Sequence, residues 1–175
     1  YVLKTQHEDG GWSGGRASTP KNHKSIDVSQ TVWFVMALFS ARLGGMDVPE
    51  AAFRDARNAL LAVARGTYDG DVQFTNHGGR SASFDREYAV KSMLFTGLHF
   101  LGVKPREAVM RQLARYIMDN MPQTDGRNHW LLYNQGMGLF QMGADSGEWQ
   151  RFQGDVLRDI SQSAIRDRGP GKAYW

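Results

Sequence analysis

The chain contains no cysteine. That excludes disulfides, thiolate nucleophiles and any zinc site built on Cys ligands. Clustered charge of one sign is missing too. The 21 Lys and Arg against 18 Asp and Glu leave a net charge of +3, and no five basic residues are consecutive. Nothing here makes the basic stripe that a nucleic-acid partner needs. Long apolar runs are also absent: the longest, Val32 to Phe39, falls short of the ~20 residues that cross a bilayer, so no transmembrane segment is expected. No Gly-x-Ser-x-Gly or P-loop pattern occurs, and none of the five histidines forms a His-x-x-x-His pair.

What the chain does have is alternation. Hydrophobic residues make up 41% of it, concentrated in segments divided by polar loops. Ser29 to Leu43 reads as a helix that is apolar all round, because Val32 to Phe39 are consecutive, and such a helix is expected to be buried on every side. Gly44 and Gly45 stop it. A second helix starts near Asp47-Val48-Pro49-Glu50, with Asp47 as its expected cap. It carries one apolar stripe, Ala52, Phe53, Ala56, Ala59, Leu60 and Val63, and ends at Gly66. The pattern then recurs. Glu87 to Leu101 is mostly apolar and stops at Gly102. An amphipathic helix opening near Lys104-Pro105-Arg106-Glu107 carries Val109, Met110, Leu113, Tyr116 and Ile117. Gly45 and Gly102 lie 57 residues apart, and that register places Glu50 on Glu107, Phe53 on Met110 and Leu60 on Ile117. A third pair is predicted from about His129 to Met142 and from about Glu148 to Ile165.

The chain therefore reads as one all-α domain over residues 1–175, with helical hairpins at about 29–66, 86–122 and 129–166. Apolar helices form an inner layer and amphipathic ones an outer layer. If the hairpins curve, the result is an α/α toroid. Two long polar connections, Ser13 to Val28 and Thr67 to Asp85, interrupt the pattern.

The opening residues are the most specific. Gln6-His7-Glu8-Asp9-Gly10-Gly11-Trp12 follows what reads as the end of a helix, and fainter copies of the turn stand at Tyr68-Asp69-Gly70, Thr124-Asp125-Gly126 and Asp167-Arg168-Gly169. The Gln6-x-x-Asp9-Gly10-Gly11-Trp12 pattern resembles the QW repeat of the prenyltransferase and squalene cyclase superfamily, with Tyr1 and Gln6 at the spacing that motif uses. The segments at Thr31 to Gly45 and Tyr133 to Gly143 are similar to that family's inner helices. The resemblance implies an α/α toroid, and three hairpins imply roughly half a ring. An open half-ring would expose apolar inner helices. The rest of a longer chain, or a protein partner, is therefore expected to close it.

A physical role for the motif is readable. Glycine tolerates the positive φ that ends a helix, Gln6 can tie backbone groups, and Trp12 offers a flat apolar surface with one N–H. Gln6, Asp9, Gly10, Gly11 and Trp12 are thus expected to be structural.

Chemistry is harder to find. The family's cyclases protonate an alkene with an Asp-x-Asp-Asp cluster, because adjoining carboxyls keep one of them protonated. Here Asp69-Gly70-Asp71-Val72 comes nearest and lacks the final Asp. The family's protein prenyltransferases hold zinc with Asp, Cys and His, which this chain cannot reproduce. No metal, cofactor or catalytic residue is assigned. Polar and aromatic residues do gather at the start of each inner helix: Asp27, Gln30 and Trp33; Asp85, Arg86 and Tyr88; His129, Trp130, Tyr133 and Asn134. In a toroid these could line a central cavity for an apolar or glycan ligand, with capping and core packing as the alternative role. The reading that results is a non-catalytic scaffold or binding module. Its alternative is part of an active squalene-hopene-cyclase-like or other α/α-toroid enzyme with catalytic residues outside this segment.

Overall fold

The structure is a computed structural model that describes residues 1–13, 25–73, 86–120, 129–143 and 145–166. Among these residues it is helical apart from one short sheet. Six helices follow in order: α1 (Val28–Leu43), α2 (Glu50–Arg65), α3 (Arg86–Phe100), α4 (Ala108–Asp119), α5 (His129–Phe140) and α6 (Gly147–Arg166). The three hairpins lie where periodicity puts them. The segment before Gln6 is a single 3-10 turn, Val2–Thr5, rather than the end of an α-helix.

The packing is a row. α3 lies against both α1 and α5, α2 covers α1 and α3, and α6 packs on α5 and α4. The amphipathic stripes explain the covering helices. Ala52, Phe53, Ala56, Ala59, Leu60 and Leu61 are the buried residues of α2. Val109, Met110, Leu113, Ala114, Ile117 and Met118 are those of α4. The register of 57 residues survives in three dimensions, since Phe53 and Met110, and likewise Leu60 and Ile117, are all buried.

α1 and α3 end in the same way. Met46 N–H donates to the Ala41 carbonyl at 3.0 Å and Gly45 N–H to Arg42 at 3.0 Å. Val103 N–H donates to Leu98 at 3.0 Å and Gly102 N–H to His99 at 2.9 Å. This pair of crossed bonds requires a left-handed residue after the helix, supplied by Gly45 at φ +83° and Gly102 at φ +78°. The starts of α2 and α4 differ. Asp47 does not cap α2, whose N-cap is Pro49 with no side-chain bond, and Glu50 instead pairs with Arg42 at 2.9 Å. At α4, Glu107 reaches back to accept from Lys104 N–H at 2.9 Å.

The expectation that α1 is buried on every side is corrected. Val28, Val32 and Val35 are buried, but Trp33, Ala37 and Ser40 form an exposed stripe, with Trp33 38% exposed. α3 comes nearer to it: Tyr88, Ala89 and Ser92 through Leu98 are all buried, while Glu87 is exposed and Val90 and Lys91 are half-buried. Close approach is possible there because Gly97 has no side chain. A Cβ on it would lie 2.5 Å from Val32 Cγ2. Burying Phe95 completely stabilises by roughly 1.5–3 kcal/mol.

The sheet was not foreseen. β1 (Ser25–Asp27) and β2 (Asp71–Gln73) pair in parallel, Ile26 opposite Val72, inside the two long connections that read as loops.

Candidate functional site

The Gln6 to Trp12 segment builds a joint. Gln6 Nε2 donates to the carbonyls of Gly10 and Ala52, both at 2.9 Å, tying the turn to the first turn of α2. Gly10 has φ +91°, and a Cβ there would fall 2.1 Å from the Asp55 carbonyl oxygen, so only glycine lets the turn rest on the α2 backbone. Asp9 accepts from Gly11 N–H at 3.2 Å and from the Tyr68 hydroxyl. Burial first, then this bond and the charges of Asp9 and Asp71, hold Tyr68 well above the ordinary tyrosine pKa. Trp12 is buried. Its indole N–H donates to the Val2 carbonyl at 2.9 Å, and its ring meets Phe34 of α1 edge-on at 5.7 Å. Its backbone N–H donates to Thr31 Oγ1 at 3.0 Å, while its carbonyl accepts from Thr31 Oγ1 at 3.2 Å and from Asp27 N–H at 2.8 Å. All of these are scaffold contacts.

The suggested copy at Tyr68-Asp69-Gly70 does not reproduce this geometry. Gly70 lacks a positive φ, and the segment leads into β2. The copies at 124–126 and 167–169 lie outside the described residues.

The helix-start residues are dispersed. Asp27 is fully buried as the N-cap of α1, accepting from Ser29 Oγ at 2.6 Å and Gln30 N–H at 3.1 Å, where the helix dipole favours a carboxylate. Gln30 is half-buried, and Trp33 and Tyr133 are exposed. Tyr88 and Asn134 are both buried and belong to adjoining helices. Thr96 Oγ1 donates to the Asn134 carbonyl at 2.9 Å. Tyr88, however, sits two turns, about 12 Å along α3, from Thr96. Arg86 and His129 open α3 and α5, and Trp130 follows His129. Asp85 lies outside the described residues, as do the side chains of Arg86, His129 and Trp130.

Among the described residues a cavity forms that Asp27, Gln30, Trp33, Tyr88, Tyr133 and Asn134 do not line. It measures about 420 Å³ and lies between α2, β2, α3 and α4. Val63 and Ala64 at the end of α2 and Val72 of β2 make one wall. Val90 and Leu94 of α3 and Leu113 of α4 make the other. Glu87 and Lys91, one turn apart on α3, complete the lining and pair at 2.7 Å. The Lys91 ammonium also lies 3.6 Å from the centre of the Tyr116 ring. It lies at the small end of the ~300–1,000 Å³ usual for small-molecule sites, with apolar walls and, among the described residues, one polar pair.

Among the described residues no three His, Asp or Glu side chains cluster as metal ligands. His99 is half-buried on α3. Burial lowers its pKa, Gln141 just beyond α5 opposes that shift through a hydrogen bond, and the charge of Lys104 adds to it. No protein-family model, curated protein or solved structure matches this chain.

Proposed function

We propose that this chain is a helical-hairpin repeat domain of the α/α-toroid type, similar to the repeats of the prenyltransferase and squalene cyclase superfamily, and that it serves as a non-catalytic scaffold or binding module. The observation that carries the reading is where the polar groups of the Gln6–Trp12 motif go. Gln6, Asp9 and the Trp12 indole N–H all bond within the fold; Gln6 ties the segment before α1 to α2, and the Trp12 backbone ties it to Thr31 of α1. The shared stop of α1 and α3 supports a repeat. On this reading, further hairpins of a longer chain or a protein partner close the ring. Trp33 and Tyr133, exposed on α1 and α5, are available to meet that partner or an apolar or glycan ligand.

The test is incubation of the chain with squalene and with prenyl diphosphates, followed by mass spectrometry of the extracts. No product is expected. A cyclised or transferred product would overturn the scaffold reading in favour of an enzyme whose acid groups lie outside the residues assigned here.

A further inference from the structure

We propose that the cavity between α2, β2, α3 and α4 binds a small amphipathic carboxylate, with its apolar body against the valine and leucine walls and its carboxylate on Lys91. This deepens the binding-module reading above and rests on it.

Three features set the ligand class. The walls contributed by Val63, Val72, Val90, Leu94 and Leu113 offer no hydrogen-bonding side chain, so the body of the ligand is aliphatic or aromatic. Among the described residues the cation lining the cavity is Lys91, whose ammonium rests against the face of Tyr116 in an attractive cation–π contact. Its partner Glu87 is the more exposed of the two, 65% against 31%, so Glu87 marks the solvent side of the pair. A ligand carboxylate can take over Lys91 from inside while Glu87 returns to water at little cost, because an exposed ion pair is weak.

The third feature is the position of the cavity on α3. Glu87, Val90 and Lys91 belong to its first two turns, where the positive end of the helix dipole favours an anion. A cationic ligand would face both Lys91 and that dipole. A diphosphate would bring more charge than one lysine can balance, against walls that cannot solvate it.

The experiment titrates octanoate, octan-1-ol and octylamine into the 175-residue chain and follows the Val and Leu methyl signals by NMR. Octanoate is expected to saturate one site, shifting the methyls of Val63, Val90 and Leu113, with octanol weaker and octylamine weakest. Lys91→Met should weaken octanoate about tenfold or more, and Glu87→Gln should tighten it by freeing Lys91. Both positions are at the surface, and matching thermal midpoints establish that the variants fold. If Lys91→Met unfolds, the ranking of the three ligands and the Glu87→Gln variant still decide. The proposal is overturned if octanoate fails to bind, if octanol binds as tightly, or if neither substitution changes the affinity. Any of these results leaves the squalene and prenyl diphosphate assay to stand or fall separately, so the two readings fail distinguishably.

Discussion

α1 is more apolar than α3 and stops on the same glycine geometry, yet it is the less enclosed of the two. α3 lies between α1 and α5 and is buried over most of its length, with Glu87 exposed and Lys91 half-buried in its first turns. α1 has a helix neighbour in the row on one side only and leaves Trp33, Ala37 and Ser40 to solvent. The difference teaches that an apolar helix is buried by its neighbours, and its own residues only make burial favourable. The same contrast separates α3 from α5, where Tyr133 and Phe140 are each 51% exposed.

The contrast can be broken most strongly at its centre. Phe95→Ala opens a cavity in the fully buried middle of α3 and should cost about 3–5 kcal/mol in urea unfolding, whereas Trp33→Ala on α1 should cost less than about 1 kcal/mol. Equal losses would mean that the α1 stripe is covered in solution. Next comes overpacking. Gly97→Val pushes a side chain into Val32 and Leu60 and should cost about 1–3 kcal/mol, against about 0.5 kcal/mol for the two methyl groups added at exposed Ala37 by Ala37→Val.

A smaller effect, of opposite sign, is expected at the next helix of the row. Gln135 of α5 is buried, and neither end of its amide has a hydrogen-bond partner. Gln135→Met keeps the shape and removes the orphaned groups, so it should raise stability by about 1 kcal/mol. A loss instead would reveal a partner such as a bound water.

The smallest effect is a pH dependence at the end of α3. His99 has a folded pKa below its ordinary 6.5. Between those two values the unfolded chain binds the proton and the folded chain does not. The stability of the neutral ring is therefore complete above about pH 6.5 and is lost as pH falls below it. His99→Gln should remove that acid-side loss. Unfolding of both proteins at pH 7.5 and 5.5 reads the difference, and identical pH dependence would remove His99 as its source.

Much of this was legible from the chain. Helix positions followed from apolar spacing and glycine stops, and the register relating Gly45 to Gly102 held down to individual hydrogen bonds. Gln6, Gly10 and Trp12 stood out too, because a glutamine, a left-handed turn and an indole together suit a joint between segments. The second turn at Tyr68 misled: it shares letters with the first, but Gly70 lacks the positive φ of Gly10 and leads into β2. The candidate cavity was not legible, since its walls come from four elements spread from Val63 to Leu113.

The sequence by itself determined the six described helices, where they stop and which face of each amphipathic one is apolar. Helical hydrogen bonds and side-chain stripes join residues three to five positions apart, and that information is local. Only the tertiary structure decided that Ile26 pairs with Val72, that α3 is more enclosed than α1, and that Lys91 stands at the edge of an apolar cavity. Each of these depends on which distant segment arrives as a neighbour, and no local spacing encodes that choice.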